Sequence, residues 1–166
     1  MFYKLFKYAC LLNLISIINS YVTNSNILIQ KEQKIFSDIL NSQNLPCHLQ
    51  SVRVKSFNSA MQKMELLKAK DIYDLYDLIG FRYVFYTKED LLKFYHHIKL
   101  EKTIWYSKNY INKPKKNGYS AFHIRYKNEF DECPIKQLEC QLYVISDYYN
   151  SLYGLSRYDK NYTLLY

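Results

Sequence analysis

Residues 113–123 read Lys-Pro-Lys-Lys-Asn-Gly-Tyr-Ser-Ala-Phe-His, and the reading of the whole chain is organised around this stretch. Its three lysines lead into Asn117-Gly118, a turn dipeptide, because glycine takes a positive φ without a Cβ clash. Pro114 holds the approach extended and has no N–H to give to a ladder. From Ala121 a period of two sets in: Phe122, Ile124 and Tyr126 alternate with His123, Arg125 and Lys127. That is the pattern of a half-buried strand with one polar face. A basic loop should therefore deliver Tyr119 to the rim of a sheet and place His123 on one of its faces. Such a seat suits a phosphorylated ligand with a flat ring.

Upstream, Thr103–Tyr106 reads as a short strand, and residues 87–99 as an amphipathic helix opened by a Thr-x-x-Asp capping pattern. His96 and His97 are adjacent, face different directions on that helix and make a poor metal pair. Residues 77–86 form a strand with Arg82, Val84 and Tyr86 on one face and Phe81, Tyr83 and Phe85 on the other. A short helix over Asp71–Tyr76 feeds it. An earlier strand runs through Leu49, Val52 and Val54 and ends on Arg53 and Lys55, two residues apart and on one face. Ser56 or Asn58 caps the next helix, whose N-terminus attracts phosphate, and Lys63 follows Ser59 by one turn. Residues 26–40 show helical spacing, with Ile27, Ile35, Phe36, Ile39 and Leu40 as the apolar stripe.

Downstream, Asp131–Pro134 turns the chain into a strand over Lys136–Leu142. Leu138, Cys140 and Leu142 go to one side of it, Glu139 and Gln141 to the other. Cys140 is then a small core residue. Residues 146–166 begin as a tyrosine-rich helix and lose pattern, passing through the glycosylation sequon Asn161-Tyr162-Thr163.

A chain of 166 residues with 49% apolar residues, three glycines and three prolines is one globular domain, not a disordered or repeat protein. The net charge of +8 points to polyanionic partners, nucleotides or nucleic acid among them. Residues 1–20 begin with Lys4 and Lys7, continue through an apolar run over Tyr8–Ile18 and end on Ser20. That is the layout of a signal peptide, too short for a transmembrane segment, with a buried first helix as the other reading. Without those two lysines the chain would still carry +6. Cys47 and Cys133 show no metal spacing.

The motifs together resemble RelA/SpoT-type alarmone synthetases, in their small single-domain form. The resemblance rests on four elements in the family's order: Arg53-x-Lys55-Ser56-x-x-Ser59-x-x-x-Lys63; Asp77-Leu78-x-Gly80-x-Arg82; Asn109-Tyr110-Ile111 with Pro114-Lys115, Asn117-Gly118-Tyr119 and His123; and Glu139-x-Gln141. They cover residues 53–141 of a domain expected over 21–166. Tyr143-Val144 stand where the family has Arg-Thr, a departure on the acceptor side.

The resemblance implies an α/β (α+β) fold: a mixed, largely antiparallel sheet of about five strands flanked by helices, as in nucleotidyltransferases. It implies transfer of the pyrophosphoryl group of ATP to the 3′-hydroxyl of GDP or GTP, with Mg²⁺ held by Asp77 and Glu139. Arg53, Lys55, Ser59, Lys63 and Arg82 would bind ATP, the two arginines sandwiching adenine. Lys115, Asn117, Tyr119, His123 and Gln141 would bind the acceptor, with Tyr119 stacked on its base. Glu139 and Asp77 would be the catalytic carboxylates, and a homo-oligomer is compatible with all of this.

Two other classes stay open. One is a secreted toxin or effector relative acting on adenine nucleotides or the tRNA 3′ end, the only reading with a nucleic-acid partner. The other is a non-catalytic nucleotide-binding protein. The signal-like start implies secretion; a first helix in its place implies the cytoplasm.

Overall fold

The computed structural model describes residues 2–153, with side chains from residue 16 onward. The sequon and the rest of the tail lie outside the described residues. Five strands, β1 (Cys47–Val54), β2 (Ile79–Phe85), β3 (Ile104–Asn109), β4 (Phe122–Lys127) and β5 (Gln137–Val144), form one sheet in the order β1-β2-β5-β4-β3. Only β2 and β5 are parallel; the other three pairings are antiparallel. The expected mixed, largely antiparallel five-stranded sheet is therefore present. Its strand order could not be read from the sequence, because β5 inserts between β2 and β4.

One face of the sheet is the main core. Phe81, Tyr83, Phe85, Ile124, Tyr126, Leu138, Cys140 and Leu142 are buried there beneath α1 (Phe2–Ser42) and α3 (Lys88–Glu101). Phe36 of α1 fits edge-on among Phe81, Tyr83, Phe94 and Tyr126. The helix expected over 26–40 is the latter part of the much longer α1. Its buried stripe is also shifted: Tyr21, Ser25, Leu28, Glu32, Phe36 and Ile39 are buried, whereas Ile27 is exposed. Glu32 can join an apolar stripe because the Lys102 ammonium sits 2.7 Å from its Oε1, at the C-cap of α3. Burial pushes the Glu32 carboxyl above its ordinary range, with Lys102 opposing it. Removing one partner of such a pair typically costs about 3–5 kcal/mol.

No helix among the described residues is long and apolar enough to cross a membrane. Cys47, Cys133 and Cys140 are free thiols.

The elements that carry the site are short and well capped. Ser56 caps α2 (Phe57–Leu67), accepting from the Ser59 N–H, and Thr87 caps α3 through the Asp90 N–H. A 3-10 helix over Ile72–Asp74 leads to β2. β3 runs three residues past its expected end, and the Asn109 side chain then accepts from the N–H groups of Ile111 and Asn112 to turn the chain. Gly118 has φ 78°, with its N–H bonded to the Lys115 carbonyl, so the basic turn needs glycine there. The last described helix, α4 (Ile145–Tyr153), follows β5 directly.

Candidate active site

Strand register decides which side chains share the second face of the sheet. Arg53 of β1 lies opposite Gly80 of β2, which lies opposite Glu139 of β5, which lies opposite Arg125 of β4. One step along, Ser51, Arg82, Gln141 and His123 are in line, and Lys108 of β3 pairs with His123. Directly opposed residues project to the same side. This face therefore collects Arg53, Arg82, His123, Arg125, Glu139 and Gln141 from four strands. At Gly80, between Arg53 and Glu139, an added Cβ would meet nothing within 4 Å, so the floor there is open.

A first cluster forms at the entry to β2. Asp77 Oδ2 lies 2.7 Å from Lys63 Nζ and 3.2 Å from Lys55 Nζ. Burial raises the Asp77 carboxyl, but the two ammonium groups outweigh it and hold the group below the ordinary carboxylate range. The other oxygen, Oδ1, is buried without a hydrogen bond. Tyr21 of α1 donates from its hydroxyl to the Lys55 carbonyl at 2.7 Å, which fixes the chain at this lysine. Burial, followed by Asp77, pushes the Tyr21 phenol up to about 12. Ser59 is engaged locally, its Oγ 2.8 Å from that of Ser56 at the helix start.

A second cluster is a continuous polar chain. Arg82 donates to Gln141 Oε1 at 3.2 Å, and Gln141 Nε2 donates to Glu139 Oε2 at 3.1 Å. Tyr143 also donates to Gln141 Oε1, at 3.3 Å, and its hydroxyl is 2.9 Å from that of Tyr119. Because Tyr143 spends its proton on Gln141, the Tyr119 hydroxyl donates to Tyr143. His123 Nε2, 2.6 Å from the Tyr119 oxygen, is then the donor to it. Across the ring, His123 Nδ1 is 3.6 Å from Glu139 Oε1. Burial raises the Glu139 carboxyl; His123, Gln141 and Arg125 more than reverse this, so it stays below the usual glutamate range.

The two clusters meet at Tyr76 and Arg125, which carried no role in the sequence reading. The Lys63 ammonium sits 4.1 Å from the Tyr76 ring centroid and the Arg125 guanidinium 3.5 Å from it. Arg125 Nε is in turn 3.7 Å from Glu139 Oε1. A signal for both was present in the sequence. Tyr76 immediately precedes Asp77, and Arg125 falls two residues after His123 on the polar side of its strand.

On the acceptor side the structure corrects the sequence reading. Tyr119 is not at an open rim: it is 4% exposed, inside a second small core with Val84, Ala121, Tyr143 and Tyr148. The Lys115 ammonium covers the Tyr119 and Tyr110 rings at 4.8 and 4.7 Å. The physical reason is Tyr143, whose ring packs edge to face on Tyr119 and whose hydroxyl bonds that of Tyr119. Arg82, expected on the ATP side, is 7% exposed and lies within 5.3 Å of the Tyr143 ring and 5.6 Å of the Tyr148 ring. Asn117 uses its side-chain oxygen to accept from the Tyr119 N–H and shape the turn.

Residues 52–156 match the pattern described as the region found in RelA / SpoT proteins. The chain belongs to the RelA/SpoT family. Solved structures with the same fold include small alarmone synthetase 2 of Bacillus subtilis, 24% identical with a TM-score of 0.68, covering 89% of this chain and 83% of that one. A GTP pyrophosphokinase family protein of Streptococcus pneumoniae is 19% identical with a TM-score of 0.67, covering 92% of this chain and 81% of that one. Small alarmone synthetase 1 of Bacillus subtilis, bound to its product pppGpp, is 17% identical with a TM-score of 0.63, covering 91% and 84%. A comparison with curated protein sequences gives no match. In this RelA/SpoT domain the match spans β1 from Val52 to β5, together with residues beyond α4, and so contains both clusters.

Proposed function

We propose that this chain is a nucleotide pyrophosphokinase that moves the β,γ-pyrophosphoryl group of ATP to the 3′-hydroxyl of GDP or GTP, making (p)ppGpp. The observation that carries the reading is the shared sheet face. It carries Glu139 and Arg125, and through Arg125 and the Tyr76 ring it joins Glu139 to the Asp77–Lys55–Lys63 cluster, in a chain of the RelA/SpoT family.

In this reading the acceptor oxygen bonds to the β-phosphorus as the bond from that phosphorus to the α,β-bridging oxygen breaks. AMP leaves with the electron pair. The reaction needs charge neutralisation and alignment more than covalent help. Lys55 and Lys63 give their ammonium groups to phosphate oxygens, exchanging Asp77 for a ligand that carries more charge. Arg53, on the rim of the glycine floor, takes the adenine or its phosphates. Glu139 is ionised at neutral pH and accepts the proton of the attacking hydroxyl.

Mg²⁺ fits the residues present, because Asp77 Oδ1 is a buried hard oxygen with no hydrogen bond and Glu139 is a second carboxylate, linked to the Asp77 cluster through Arg125 and Tyr76. When bound, the metal neutralises charge on the transferred phosphates. Lys115, Asn117, Tyr119, His123 and Gln141 form the acceptor side. A base that stacks on Tyr119 must first draw Lys115 off the ring, and the acceptor's own phosphates supply the charge to do so.

A second reading changes only the acceptor. Tyr143 in place of the family's arginine closes that end with an aromatic ring, which favours an acceptor other than a guanine nucleotide, such as an adenine nucleotide or the tRNA 3′ end. A secreted effector would combine this acceptor change with removal of residues 1–20. In either case incubation with ATP, Mg²⁺ and each of GDP, GTP, ADP and tRNA, resolved by mass, should give AMP plus one acceptor heavier by a pyrophosphoryl group. If no acceptor gains that mass while ATP still binds, the chain is a nucleotide-binding protein and the enzymatic reading fails. The mature N-terminus, read by intact mass from the native host, decides the secretory part.

A further inference from the structure

Arg125 is a cation beside Glu139 that lies outside the motifs shared with the family. It stands opposite Glu139 across the β4–β5 ladder, with Nε 3.7 Å from Oε1. At that distance the two attract without a hydrogen bond. The guanidinium is instead held by rings: its carbon is 3.5 Å from the Tyr76 centroid and 4.4 Å from that of Tyr106. Ring contacts engage the flat faces of a guanidinium and leave its N–H donors in the plane, where oxygens approach. Nε is buried and has no hydrogen-bond partner. A buried charged donor left in that state is unfavourable, and an anionic oxygen relieves it. Tyr76 also carries the Lys63 ammonium, so one ring aligns two cations between the two carboxylates Asp77 and Glu139.

We propose that Arg125 is a phosphate-contacting residue of the transfer site, its ring-held guanidinium donating to anionic oxygens of the pyrophosphoryl group in transit. This rests on the pyrophosphokinase reading. Arg125 forms and breaks no covalent bond. It meets negative charge on the group between the acceptor oxygen and the departing AMP, while the proton goes to Glu139. A planar fork matches two phosphate oxygens at once, which a lysine cannot do.

The test compares wild type with Arg125→Ala and Arg125→Lys, measuring kcat, acceptor KM, thermal midpoint and affinity for inorganic pyrophosphate by calorimetry. Arg125→Ala should lower kcat by about 10²-fold or more, in line with arginines that meet transferring phosphoryl groups, with acceptor KM nearly unchanged. Arg125→Lys should stay at least about tenfold below wild type, and added guanidinium ion should restore part of the Arg125→Ala rate. Pyrophosphate should bind more weakly to both variants. If Arg125→Lys turns over like wild type, or Arg125→Ala keeps the wild-type affinity for pyrophosphate, Arg125 is only a neighbour of Glu139 and the proposal falls. Arg125→Lys carries the test alone should the alanine variant not fold. Pyrophosphate binding needs no turnover, so it judges Arg125 even if wild type transfers to none of the acceptors, an outcome that would count against the enzymatic reading instead.

Discussion

The two ends of the polar sheet face are held by different physics. Around Asp77 the side chains are charged and part-exposed, and they pair with one another: two lysines share one carboxylate oxygen. Around Tyr119 they are rings, packed edge to face with Tyr143 and closed over by Lys115. A phosphate ligand at the first end only has to outcompete an existing ion pair, with the backbone already in place. A flat ligand at the second end has to displace packed side chains. The donor site should therefore be ready before binding, and the acceptor site should rearrange.

The sharpest break in that comparison is at Glu139, where the two ends touch. Glu139→Gln preserves shape and keeps an oxygen for Gln141 Nε2 but cannot take a proton. The turnover should fall by about 10²–10⁴-fold, the range of general-base contributions, with both nucleotides still bound. Near-wild-type turnover would make Glu139 a cross-strand pairing residue. Its acid limb provides a second check. A carboxyl held below its ordinary value of about 4.3 is deprotonated at lower pH than usual, so kcat/KM should keep its plateau as pH falls and decline only below that value.

Asp77 should show a smaller loss with a different signature. Asp77→Asn removes the charge that gathers Lys55 and Lys63 and weakens any metal site at Oδ1. Activity should drop, and raised Mg²⁺ or Mn²⁺ should recover part of it; the same additions should not rescue Glu139→Gln. The folded-state carboxyl is depressed, so its contribution to stability is complete above the unfolded value of about 3.9 and is lost as pH falls through the lower folded value. The thermal midpoints of wild type and Asp77→Asn should therefore converge in acid. Parallel midpoints across that range would mean the ion pairs contribute nothing.

How much of this was legible beforehand depends on the range of the interaction. Alternation placed His123, Arg125, Glu139 and Gln141 on polar faces and Cys140 in the core, because a period of two is local. The turn at Gly118 and the caps at Ser56 and Thr87 were readable for the same reason. The pairing of β2 with β5 was not, since it joins residues about sixty positions apart and nothing local encodes it. The place of Glu32 in the buried stripe depended on Lys102, seventy residues on. Tyr119 was misplaced for a related reason: its burial follows from Tyr143 and Tyr148, two strands and a helix away in sequence. Tyr143 is visible in the sequence as a departure from the family's arginine, but its effect on packing is a tertiary one.

The smallest expected effect tests the acceptor end by itself. Tyr119 holds two roles that a single truncation would mix, a ring in the second core and a hydroxyl between His123 and Tyr143. Tyr119→Ala would open a cavity and lower stability along with function. Tyr119→Leu keeps most of the volume and removes the aromatic face; since a base–aromatic stack is worth about 1–3 kcal/mol, acceptor KM should rise by about tenfold while ATP affinity stays near wild type. Tyr119→Phe keeps the face and removes the hydroxyl. His123 then loses the oxygen to which its Nε2 donates, whereas Tyr143 still donates to Gln141. The cost should be no more than a few-fold in acceptor KM, because only one neutral hydrogen bond per neighbour is lost and water can reach the half-buried His123. Reversed sensitivities, with phenylalanine the more damaging, would mean that Tyr119 acts through its hydroxyl on His123 and Glu139. Tyr119 would then work as a wall that orients the base-side carboxylate, and the acceptor's ring would have to seat elsewhere on this face.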